Sequence, residues 1–111
     1  MALPVAITAE KVQEAVRRII EVGHPRKIIL FGSYTKGTLT ASSDLDVLVV
    51  GDDSIESTRK ESVRIRKALK GLMMPIDLLV VKESHYDTLK NRDGLVYKEI
   101  ARTGELVYEC R

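Results

Sequence analysis

The chain has 111 residues, 44% of them hydrophobic, with 18 Lys and Arg against 16 Asp and Glu and a net charge of +2. That length predicts a single domain, residues 1–111, with a modest core, and so even a charge balance argues against a strong nucleic-acid or membrane preference. The lone cysteine, Cys110, excludes an intrachain disulfide framework and a Cys-based zinc site and fits a reducing, cytoplasmic setting; the N-terminus has neither a signal-peptide pattern nor a membrane-length apolar run.

Thr8–Val22 reads as a helix, with Thr8 as N-cap, Val12, Val16, Ile19 and Ile20 in one apolar stripe, and Gly23 and Pro25 as stops. Lys27–Phe31 is a short buried strand that ends at Gly32-Ser33. Gly32 tolerates backbone angles that other residues resist. Ser33 suits the cap of a following short helix, whose free N–H groups make it a binder of the β- or γ-phosphate of a nucleotide. Gly37 closes this turn, with Lys36 as a second phosphate partner. After a spacer of ten residues beyond Ser33 comes Asp44-Leu45-Asp46, at the head of the strand Asp44–Val50. Side chains alternate along a strand, so Asp44 and Asp46 share one face while Leu45, Val47 and Val49 pack beneath helices. Asp52 and Asp53, between Gly51 and Ser54, read as a solvated turn.

A helix is expected from Ile55 to about Leu72. Its cations Arg59, Lys60, Arg64, Arg66, Lys67 and Lys70 are interleaved with Glu56 and Glu61 and lack aromatic neighbours, so they read as a solvated face. Ile76–Val81 is a third strand and carries Asp77. Glu83–Arg102 is helical with a break near Asn91–Gly94, and Glu105–Glu109 forms a short strand. His24 and His85 have no partner at ligand spacing and read as surface residues. Met73 and Met74 read as gap-fillers of the core, and Tyr86, Tyr97 and Tyr108 as core-edge residues. The order predicts an α/β (α+β) fold: a small mixed sheet with helices mainly on one face and the acids on the other, open face.

Two carboxylates side by side repel unless a cation sits between them. Oxygen ligands of this kind suit Mg²⁺, which takes one or two carboxylates and completes its shell with phosphate and water. Two ions roughly 3.5–4 Å apart would clamp the attacking and leaving oxygens of an in-line displacement. An Asp inside an apolar run such as Ile76–Val81 is costly to bury unless paired or metal-bound. If its strand lies beside that of Asp46, Asp77 can hold one metal and accept the proton of an attacking hydroxyl. Neither Gly-Ser nor Asp-x-Asp is specific alone; strand, Gly-Ser, spacer, Asp-x-Asp and a later strand Asp together point to nucleotide transfer.

In these residues the chain resembles the DNA polymerase beta-like nucleotidyltransferase superfamily, above all its minimal nucleotidyltransferases (MNT). The likeness runs over nearly the whole chain, including residues 99–109. It implies that fold, catalytic and metal-binding roles for Asp44, Asp46 and Asp77, and nucleotide binding by Gly32, Ser33, Lys36 and Ser43. It also implies two Mg²⁺ ions, with ATP as the source of AMP. Tyr34 stands where many members carry a basic residue. Within this class the usual partner is a HEPN-domain ribonuclease toxin, which the nucleotidyltransferase silences as antitoxin by adding AMP to a tyrosine. A chain this short has no added domain for a large substrate, so a hetero-oligomer is expected, with Leu95 and Val96 as contact candidates. Two alternatives stay open: an antitoxin that neutralises its partner by binding alone, and an aminoglycoside-type nucleotidyltransferase.

Overall fold

The computed structural model describes residues 7–110. In chain order it contains α1 (Ala9–Gly23), β1 (Lys27–Phe31), α2 (Ser33–Lys36), β2 (Leu45–Gly51), α3 (Thr58–Ala68), β3 (Ile76–Lys82), α4 (Glu83–Leu89), α5 (Val96–Thr103) and β4 (Glu105–Glu109). The strands form one mixed sheet in the order β3-β2-β1-β4; β2 and β3 run parallel, and β1 is antiparallel to both β2 and β4. No helix among the described residues is long and apolar enough to cross a membrane.

Thr8 caps α1 as expected, its hydroxyl oxygen accepting from the Lys11 N–H at 3.2 Å. The helix stops where His24 turns left-handed (φ 44°) and donates its N–H to Ile20 O at 3.0 Å. The stripe of α1 and the inner side of α3 (Val12, Ala15, Ile19, Ile65, Leu69) pack on the sheet face formed by Ile28, Leu30, Leu45, Val47 and Val49. The alternate residues Ile29, Leu48, Val50 and Val81 point to the second face, where Tyr86 of α4 and Ile100 of α5 cover them. The two longest helices thus lie on one face, and the second is roofed only by two short ones.

Several boundaries move for local reasons. α3 starts at Thr58, not Ile55, because Ser57 caps it: the Ser57 hydroxyl oxygen accepts from the Lys60 N–H at 3.2 Å. Ile55 stays in the loop and seals Gly51, where an added Cβ would stand 2.1 Å from Ile55 Cδ1. α3 ends at Ala68, before Gly71 (φ 90°) and Met73 (φ 56°). Met73 is no gap-filler: it is 81% exposed, and its carbonyl accepts from Lys11 Nζ at 3.1 Å. Met74 does pack against the core, and Tyr86 lies in the core instead of at its edge, where Tyr97 and Tyr108 sit. His24 and His85 are exposed. The turn after β2 does more than face solvent. Asp52 pairs with Arg26 at 3.0 Å, and Asp53 Oδ1 accepts from the Ser84 N–H at 3.0 Å in the first turn of α4, a helix whose own N-cap, Lys82, supplies no side-chain bond.

Candidate functional site

The site gathers where the second sheet face escapes its roof. β2 and β3 pair in parallel with Asp46 directly opposite Asp77. Since equal register in a parallel pair puts both side chains on one face, the carboxylates project together, on the side of Leu48 and Leu79. Asp46 is half-buried and Asp77 exposed. The Leu45 N–H donates to Pro75 O at 2.9 Å and opens this pairing. The strand therefore begins at Leu45, and Asp44, expected inside it, sits in the approach loop, exposed.

Antiparallel pairing of β1 with β2 sets Phe31 opposite Asp46 and delivers Gly32 beside the acid. Gly32 has φ 75° and ψ −147°, and a Cβ built on it would stand 2.1 Å from Asp46 Oδ2. Glycine is required here twice, for its backbone angle and because the carboxylate lies against its Cα. Gly32 also occupies the N-cap of α2. Ser33, expected to cap that turn, is its first residue and makes no side-chain capping bond; its carbonyl accepts from the Gly37 N–H. Gly37, left-handed at φ 70°, closes the turn as expected.

Lys36 is exposed. Its ammonium acts on the Glu99 carboxyl of α5, which Arg102 foremost, and Lys36 in lesser part, hold below the usual range. The Ser43 hydroxyl oxygen accepts from the Thr40 N–H at 2.8 Å and so closes the turn that leads into Asp44. Tyr34 turns the other way. It packs against the core and lines a groove of about 320 Å³ with Val12, Val16, Leu30 and Val107. Two residues went unnoticed in the sequence. Thr35 Oγ1 donates to Gly32 O at 3.0 Å, and Thr40 Oγ1 lies 3.2 Å from both Ser42 and Ser43 Oγ. The signal was the density of Ser and Thr around Gly37, residues that bond their own turns.

The electrostatics follow from this placement. The Asp46 pKa is raised, first by burial, then by the Asp77 and Asp44 charges. Among the described residues no three His, Cys, Asp or Glu side chains converge tightly enough to enclose an ion by themselves. Mg²⁺ needs no such cage, because it binds through one or two carboxylates plus substrate phosphates. An acid whose ionisation is opposed by two neighbouring carboxylates, at an open edge and with oxygen donors alone, fits that kind of ion.

Comparison with known proteins gives a consistent family. The family described as "Nucleotidyltransferase domain" matches residues 9–102. Two proteins of Methanocaldococcus jannaschii, each described as a "putative protein adenylyltransferase", are similar to the chain. One is 60% identical over 30 residues, 27% of this chain and 30% of that protein, so the match spans under a third of that relative. The other is 29% identical over 75 residues, 65% of this chain and 75% of that protein. A solved structure described as a "putative nucleotidyltransferase" from Sulfolobus solfataricus superposes with a TM-score of 0.55 at 18% identity, covering 90% of this chain and 75% of that one. A structure described as a toxin-antitoxin with AMP-PNP gives 0.54 at 20% identity, over 95% and 76%. At those identities the two structures speak for the fold.

Proposed function

Since the chain belongs to the nucleotidyltransferase domain family, we propose that this nucleotidyltransferase moves AMP from ATP to a protein hydroxyl, and that it is the antitoxin which modifies a HEPN-domain ribonuclease toxin in the cytoplasm. The observation that carries the reading is the in-register pair Asp46 and Asp77 beside Gly32 on one open stretch of sheet. The M. jannaschii relatives' description as protein adenylyltransferases supports a protein acceptor, and the toxin-antitoxin neighbour supports a toxin as that protein.

In this reading Asp44, Asp46 and Asp77 hold two Mg²⁺ ions, which when bound neutralise the triphosphate. Gly32 lets the nucleotide's phosphates approach the backbone, and Ser33, Lys36 and Ser43 bind them. The acceptor hydroxyl gives its proton to Asp77, and its oxygen forms a bond to the α-phosphorus. The bond from that phosphorus to the α–β bridging oxygen breaks, so the products are the AMP ester and pyrophosphate. Leu95 and Val96, 39% and 50% exposed at the start of α5, are offered to the acceptor protein.

The test is transfer from α-labelled ATP with Mg²⁺ in lysate of the source cell, comparing wild type with Asp46→Asn. One labelled protein band, present with wild type alone and identified as a HEPN protein, is expected. A band of equal strength with Asp46→Asn would remove the metal assignment. Absence of any band while ATP still binds would replace catalysis with neutralisation by binding.

A further inference from the structure

Helix α3 presents a face unlike the rest of the surface. Its exposed positions are Arg59, Lys60, Val63, Arg64, Arg66 and Lys67, with Lys70 exposed just beyond its end. Every one except Val63 is a cation. The acid of this segment, Glu61, is half-buried and bonds Arg64 at 2.6 Å. Arg66 reaches Leu78 O at 3.3 Å. Arg59, Lys60, Lys67 and Lys70 make no ion pair among the described residues, whereas Arg17 and Arg18 of α1 pair with Glu14, and Arg102 of α5 with Glu99, one turn away. The near-neutral total conceals this separation. Residues 59–70 hold six of the 18 cations and one of the 16 acids, so they carry +5 and the remaining chain −3.

We propose that the outer face of α3 is a docking surface for the phosphodiester backbone of nucleic acid. The row extends over about 16 Å of helix at 1.5 Å per residue. A protein partner fits it poorly, because protein interfaces have an apolar, aromatic-rich centre from which lysine is depleted. Here one valine is the whole apolar content and no aromatic is present. Nucleic-acid interfaces are more polar and far more positively charged. The face has no ring on which a base could stack, and its long cations suit phosphate oxygens, contacts that position a duplex but carry no sequence information. It lies across the sheet from Asp46 and Asp77: α3 packs on the face of Leu45 and Val47, the acids on the face of Leu48. Binding here leaves the acid-bearing side open.

The test is fluorescence anisotropy of the full chain with a labelled RNA duplex of mixed sequence and the DNA duplex of the same sequence. Both are expected to bind with a Kd of order 10⁻⁶–10⁻⁴ M at physiological salt, and with a log–log salt slope of about −3 to −4 for four engaged cations. The double variant Lys60→Glu/Lys67→Glu should weaken binding about 10-fold or more and bring the slope toward about −2. Lys60→Gln/Lys67→Gln should move both quantities in the same direction by less, and it serves as the second variant if the charge reversal disturbs folding. Lys98→Glu/Arg102→Glu on α5 makes the same change in net charge and should alter Kd by less than about 3-fold. No binding at about 50 mM salt, equal losses in the α3 and α5 charge reversals, or tighter binding of polyglutamate than of the duplex at matched charge would each overturn the proposal, the last in favour of an acidic protein.

Discussion

At Asp46 burial and charge act in one direction. Burial, Asp77 and Asp44 all oppose its ionisation and raise its pKa. A carboxyl whose folded pKa is raised contributes stability that is fully present below its unfolded value, about 3.9, and lost as pH rises through the folded one. At pH 7 the charge is therefore a cost in metal-free protein, and Asp46→Asn should raise Tm there. That gain should disappear below about pH 4, where both side chains are neutral. Calorimetry in chelator at the two pH values checks it, and equal Tm values at pH 7 would contradict it. The same substitution should lower the transfer rate by roughly 10²-fold or more, so stability and activity move in opposite directions. Gly32→Ala is the converse. Its methyl would meet Asp46 Oδ2 at 2.1 Å on a backbone with φ 75°, and it should lose about 1–3 kcal/mol together with transfer, read as a lower urea midpoint at unchanged slope.

Among elements, α4 depends on a neighbour for its start. Asp53 Oδ1 accepts from the Ser84 N–H, so Asp53→Ala should cost about 1 kcal/mol and speed amide exchange in the first turn of α4 while the β-strands keep their protection. Unchanged exchange at Ser84–Tyr86 would refute the cap. This bond also marks how far the sequence could be read. β1, β2 and β3 were legible because unbroken Val, Ile and Leu runs between turn residues have few other uses. The start of α3 was not, because Ile55 extends the apolar period by one turn although Gly51 needs it as a lid. Ser33 looked like a cap, yet Gly32, at φ 75°, takes the N-cap position one residue back. Strand order and the Asp46–Asp77 register were beyond reach for a different reason: they depend on pairing between distant segments, opened by Leu45 N–H on Pro75 O, which no local pattern encodes.

Across the whole molecule, exposed charge sets the response to acid. Glu14 is held at about 2, chiefly by hydrogen bonds from Arg17 and then Arg18, and Asp52 at about 2 by the Ser54 N–H and hydroxyl and by Arg26. Lowered carboxyl values mean stability present above the unfolded pKa and lost as pH falls through the folded one. Between about pH 4.5 and 2 the wild type should therefore lose stability, and Glu14→Gln/Asp52→Asn should lose it less steeply, as followed by circular dichroism across that window. Identical slopes would show that water screens both pairs completely. The parallel registration of β2 and β3 reaches further than stability. A strand displaced by one position turns all its side chains over. Sliding β3 once would exchange Leu78 and Val80 with Leu79 and Val81 between the two packed faces in the same motion that carried Asp77 to the other side of the sheet. A chain with β3 seated one position out would lose the meeting of Asp46 and Asp77, so pairing these two strands is also what assembles the acidic pair.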